Sequence, residues 1–209
     1  MDHLQQLIDR YPILSVVQKE IKEAYILLET AFTAQGKLLI AGNGGSAADA
    51  EHITGELMKS FEKQRPPDAG FILQLNKISP EHAAFLEGRI QQGLPAISLS
   101  SHTALLTASL NDIGPDIIYA QQVYGYGNSD DVFLGISTSG NSRNIYYAAI
   151  TAKAKNMKTI ALTGGTGGIL ANYADVSIIV PEERTYRVQE LHLPIYHCLC
   201  LMLEEHFFP

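Results

Sequence analysis

The chain has 209 residues, 46% hydrophobic and 18% charged, which suits one domain with a large core. Its 15 Lys and Arg against 22 Asp and Glu leave a net charge of −7, which argues against a nucleic-acid partner. No apolar run approaches membrane-spanning length and no basic-then-apolar leader opens the chain, so it reads as cytoplasmic with no membrane partner.

Residues 1–35 read as a helical extension, broken at Pro12, with an apolar stripe at Val17, Ile21, Tyr25, Leu28 and Phe32. Such a stripe needs a surface to cover, and a partner subunit is one candidate. The first strand, 37–42, runs into Gly42-Asn43-Gly44-Gly45-Ser46 and restarts as a helix. Glycines let the main chain approach a ligand, and the free N–H groups at the helix start attract negative charge. Ser46 and Asp49 have capping-box spacing, which starts the helix at Ser46. His52 and Glu56, four apart, share one face of it. Gly42-x-Gly44-x-x-Ala47 also fits a loose dinucleotide pattern, but no acidic residue closes a second strand about 20 residues later. No nucleoside-triphosphate loop is present either, so no nucleotide cofactor is expected.

Residues 62–93 break the rhythm as a helical insertion, with a turn at Arg65-Pro66-Pro67-Asp68 and a second helix opening at Ser79-Pro80-Glu81. Its Phe71, Ile72, Leu75, Phe85, Leu86 and Ile90 are too apolar to leave in water, so it is expected to pack on a neighbour beside the site, as a lid or specificity element. Strand-like runs follow at 95–100, 131–137, 158–163 and 176–180, alternating with helices, which implies a parallel sheet with helices on both faces. The run ending at 137 leads into a second loop, where Ser137, Thr138, Ser139 and Ser142 can surround a phosphomonoester with neutral donors. Serines are also good turn formers and caps, but a cluster at a strand-to-helix turn favours a ligand. A last helix, 187–207, carries Gln189 and His197, eight apart and about 80° around its axis, so both can face one pocket. His192 falls on another face, as a structural or interface residue; Cys198 and Cys200, two apart, diverge and pack in the core.

Gly42 to His52, Asn111-Asp112, Gly135 to Ser142 and Gln189-Glu190-x-His192-x4-His197 together resemble the phosphoheptose isomerases, which carry a sugar-isomerase (SIS) domain. The resemblance implies a single SIS domain over 1–209: an α/β fold with a five-stranded parallel sheet flanked by helices, flavodoxin-like in three layers. It implies an aldose–ketose isomerase converting sedoheptulose 7-phosphate to D-glycero-D-mannoheptose 7-phosphate through an enediol. It further implies Glu56 as base, His197 as acid, and a zinc site of His52, Glu56, Gln189 and His197. Those roles compete, because a liganded imidazole cannot freely carry protons. Substrate contacts would come from Asn43, Gly44, Gly45, Ser46, Glu56, Asn111, Asp112, Ser137, Thr138, Ser139, Ser142 and Gln189. The implied assembly is a homotetramer with sites between subunits. Ser60 and Tyr186 stand where family members often carry an arginine and an aspartate, which alters the pocket that reads the sugar. The rival reading is a non-catalytic SIS protein, a phosphosugar-binding module or a scaffold associated with a replication initiator; retention of Glu56, Gln189 and His197 together favours an enzyme.

Overall fold

Successive residues of a strand face opposite ways, and a sheet covered on both faces needs apolar side chains at nearly every position. The computed structural model describes residues 2–209. In it β1 (Leu38–Gly42), β2 (Ala96–Ser98), β3 (Val132–Ser137), β4 (Lys158–Gly164) and β5 (Val176–Val180) form one parallel sheet in the order β2-β1-β3-β4-β5. The strands lie where the alternation put them, within a residue or two at their ends. Leu38, Ile40, Leu134, Ile136 and Leu162 face one core; Leu39, Ala41, Phe133 and Ala161 face the other. The first core is closed by α1 (His3–Arg10), a 3-10 turn at Pro12–Val17, α2 (Gln18–Thr33), α3 (Gly45–Met58) and α9 (Thr185–Phe207). The second is closed by α7 (Ile118–Tyr126) and α8 (Arg143–Ala154).

Two expectations change here. Val17, Ile21, Leu28 and Phe32 are buried in the first core, so the sheet and α9 of the same chain, not a partner subunit, cover the amino-terminal stripe. The insertion does form α4 (Ala69–Ile78) and α5 (Pro80–Glu87), but these pack chiefly on each other. α4 buries no residue and α5 only Ala83, while Phe71, Leu73, Ile78, Phe85 and Ile90 stay exposed. The insertion is instead tied down at its base. Gln92 N–H donates to Arg65 O (2.8 Å), Gln92 Nε2 to Pro66 O (2.7 Å), and Ser60 N–H to Gln91 Oε1 (2.9 Å).

α6 (Thr103–Asp112) lies on the surface between β2 and α7. α9 starts two residues before the expected position and keeps Pro194 within it. Cys198 and Cys200 are buried and free, and burial pushes the Cys198 thiol up to about 12. Among the described residues no helix is long and apolar enough to cross a membrane.

Candidate active site

β1 and β3 are neighbours, while β2 lies on the outer side of β1. The connections leaving β1 and β3 therefore diverge, and open a crevice at the carboxyl ends of the two strands. Both loops singled out in the sequence flank it. Asn43 and Asn144 join them by a reciprocal amide pair: Asn43 Nδ2 donates to Asn144 Oδ1 (2.9 Å) and Asn144 Nδ2 to Asn43 Oδ1 (3.0 Å). Tyr119 braces the first loop from below, its hydroxyl donating to Gly42 O at 2.7 Å.

α3 begins at Gly45, with Gly44 at the cap (φ 55°) and no side chain capping it. The expected capping box is thus absent. Ser46 and Asp49 are both buried, and Asp49 turns to α9, where it accepts from Gln189 Nε2 and Tyr196 Oη, each at 3.4 Å. Burial raises the Asp49 pKa, and the bonds from Gln189 and Tyr196 oppose that rise. The glycine turn leaves the Gly44 and Gly45 amides for an anion, while Ser46 N–H donates to Asn43 O and Ala47 N–H to Gly44 O, each at 3.0 Å. In the second loop Ser137 is buried and its hydroxyl donates to Ser142 Oγ (3.1 Å). Ser139 Oγ accepts from Asn141 N–H (3.2 Å), and Thr138 O from Gly164 N–H (3.1 Å).

Further along α3 and α9 the ionisable groups gather. His52 Nε2 lies 3.2 Å from Glu56 Oε1, and its Nδ1 lies 3.0 Å from Tyr196 Oη. Tyr196 has one hydroxyl proton, so it serves Asp49 or His52 Nδ1 but not both at once, while His52 Nε2–H can donate to Glu56. Lys59 Nζ lies 3.5 Å from Glu56 Oε2, whose side chain is 14% exposed. His197 packs edge-on against His52 with ring centroids 5.0 Å apart, and lies tilted against Phe61 at 5.5 Å. Its Nε2 is buried with no hydrogen-bond partner. Burial first, and then the charge of His52, lower the His197 pKa, with Glu56 opposing.

His52, Glu56 and His197 therefore come together as the sequence implied, with Gln189 nearer the glycine turn, its amide packed over the Gly45 α-carbon. Asn111 and Asp112 do not join them: they are exposed at the end of α6, where Asn111 Nδ2 donates to Asp112 Oδ1 (2.8 Å). His192 is fully buried, its Nε2 3.3 Å from Thr163 O, so it is a core residue and not an interface one. Burial holds its pKa down at about 4. Tyr196, Asn144 and Tyr119 carry no motif in the sequence; only Tyr196, seven after Gln189 on the same helix face, has a periodic signal.

Two imidazoles, a carboxylate and an amide are donors of the kind zinc accepts, and the unpartnered His197 Nε2 is a free ligating atom. The four-residue set is nonetheless not drawn together around one point. Gln189 gives its amide to Asp49, and the described residues hold no group of three or more His, Cys, Asp or Glu arranged to bind an ion.

The SIS domain family model matches residues 87–164. The phosphoheptose isomerase of Helicobacter pylori strain P12 is 40% identical over 194 residues, 93% of this chain and 88% of that protein. The phosphoheptose isomerase of Nitratiruptor sp. is 36% identical over 99% of this chain and 100% of its own length. Among solved structures, the phosphoheptose isomerase of Neisseria gonorrhoeae superposes with a TM-score of 0.76 at 32% identity, covering 97% of this chain and 95% of that one. That of Francisella tularensis gives 0.77 at 33% identity, covering 96% and 94%.

Proposed function

This chain belongs to the phosphoheptose isomerase family, and from that premise we propose how its site performs the reaction. The protein is an aldose–ketose isomerase of sugar phosphates, interconverting sedoheptulose 7-phosphate and the corresponding mannoheptose 7-phosphate. The phosphate sits between the Gly44–Ser46 turn and the Ser137–Ser142 loop, held by the Gly44 and Gly45 amides and by hydroxyls. The sugar extends along α3 and α9 towards Glu56 and His197. Glu56 removes a proton from C1 of the ketose and returns it to C2, passing through an enediol. His197 carries the second proton between O1 and O2, so C1 is oxidised, C2 is reduced and no external electron carrier is needed. His52 orients the base through its 3.2 Å contact with Glu56, and Tyr196 orients His52. The observation that carries this reading is the meeting of Glu56, His52 and His197 beside two adjoining anion loops. A scaffold has no chemical use for that set. Incubation with five-, six- and seven-carbon ketose phosphates, followed by NMR, is expected to convert the heptose preferentially; no turnover of any of them would overturn the reading.

Zinc held by His52, Glu56, Gln189 and His197 would polarise the sugar carbonyl in place of the proton transfer assigned to His197, and would need Gln189 to turn from Asp49 towards the other three. Support for it is the buried, unpartnered Nε2 of His197 beside a second imidazole and a carboxylate. Elemental analysis of protein purified without added metal is expected to find zinc, lost in His52→Ala. Active protein without any transition metal would leave acid–base chemistry alone, with His197 free to carry its proton.

We assign the protein to the cytoplasm as part of this reading. It is a homotetramer in this proposal, with Asn111 and Asp112 reaching a neighbouring subunit's site, a reading supported by their exposure at the end of α6. The exposed apolar side chains of α4 and α5 need cover of the same kind. Light scattering is expected to show four chains; a stable, active monomer would refute the assembly.

A further inference from the structure

Arg65 is the largest side chain in the molecule with essentially no exposure, and it belongs to neither phosphate loop. Burying a guanidinium is costly unless each donor is used. Its Nε and Nη2 both reach Glu204 Oε1 at 2.8 Å. Nη1 donates to Leu57 O (2.8 Å) and Nη2 also to Glu56 O (3.2 Å), so it satisfies main-chain carbonyls that the end of α3 leaves open. Glu204 in turn accepts from Phe61 N–H through Oε1 and from Glu62 N–H through Oε2, each at 2.9 Å. The Phe208 ring closes over the guanidinium at 4.6 Å. One ion pair thus ties together the end of α3, the turn at 60–62 and the last turns of α9.

Those three segments carry the reacting groups. Glu56 lies in the α3 turn whose carbonyls Arg65 holds, and Phe61, held by Glu204, packs on the His197 ring. His197 itself stands seven residues before Glu204, about two helical turns away. We propose that Arg65 and Glu204 are positioning residues that set the distance between Glu56 and His197. The inference rests on Glu56 and His197 being the proton carriers. Neither Arg65 nor Glu204 touches substrate, so loosening the pair moves kcat and leaves KM nearly alone.

The test compares Arg65→Lys, Glu204→Gln and Glu56→Gln with Asp131→Asn as a structural control. Asp131 accepts from Lys37 Nζ (2.6 Å) at the amino-terminal ends of β1 and β3, away from the loops. Arg65→Lys keeps the charge but loses the fork that reaches carboxylate and carbonyls together. At a temperature where circular dichroism shows a folded chain, it is expected to lower kcat about tenfold with KM within about twofold, since small misplacements of catalytic groups are strongly felt. Glu204→Gln is expected to move kcat in the same direction by less, and it decides the matter if Arg65→Lys does not fold. Asp131→Asn is expected to lower the melting temperature without changing kcat. A folded Arg65→Lys with parental kcat, or kcat falling in Asp131→Asn in step with its melting temperature, overturns the proposal. If Glu56→Gln keeps its turnover, the base assignment fails and takes this inference with it; if Glu56→Gln loses turnover while Arg65→Lys and Glu204→Gln do not, only the clamp is wrong.

Discussion

Glu56→Gln is expected to lower kcat by about a hundredfold or more, the scale on which a positioned base contributes. The amide keeps the shape of the side chain and can still face His52 and Lys59, both of which lie within 3.5 Å of the carboxylate now. What it loses is basicity. Binding of a non-isomerisable sugar phosphate should remain within a few-fold of the parent, because the phosphate loops are a separate part of the crevice. Steady-state kinetics beside equilibrium binding separates the two effects. A variant turning over within a few-fold of the parent would remove Glu56 from the proton path and leave His197 and its neighbours to supply the base.

The second large effect is expected at Gly140, in the loop of hydroxyls. Its φ is +66°, and a Cβ built there would run into the carbonyl of Gly167 and the amide of Gly168, which are main chain and cannot swing away. Leu170 N–H also donates to Gly140 O (2.9 Å), so the loop after β4 is packed against the loop after β3. Gly140→Ala therefore adds strained backbone, about 1–3 kcal/mol, to an overpacking penalty of about 1–3 kcal/mol. With about 2–4 °C lost per kcal/mol in a chain of this size, the melting temperature should fall by roughly 5–20 °C. Because Ser139 and Asn141 flank the glycine, KM for the sugar phosphate should rise as well. Unchanged melting and KM together would mean that this loop neither packs as described nor holds phosphate.

Much of the machinery is legible in the sequence. Short apolar runs bounded by turn residues and alternating with helices mark buried parallel strands, so the five strands could be read to within a residue or two at their ends. Glycine and hydroxyl residues at the ends of β1 and β3 have a local chemical reason, and His52 and Glu56 share a helix face by spacing alone. The resemblance added the pairing with Gln189 and His197, which no local rule supplies.

Other features have no local signature. Whether Ser46 and Asp49 would cap their own helix or serve another element depended on α9 arriving from about 140 residues later, and Asp49 took Gln189 and Tyr196 instead. The apolar stripe of α2 looked available to a partner until the sheet and α9 covered it. The apolar residues of the insertion find little cover within their own chain, because two short helices with few neighbours pack chiefly on each other. Sequence periodicity determines which face of an element is apolar and which turns can bind an anion, since both follow from neighbours along the chain. The adjacency of β1 and β3, the ion pair between Arg65 and Glu204 and the partners of Asp49 were decided only by the tertiary structure, since each joins residues that only folding makes neighbours.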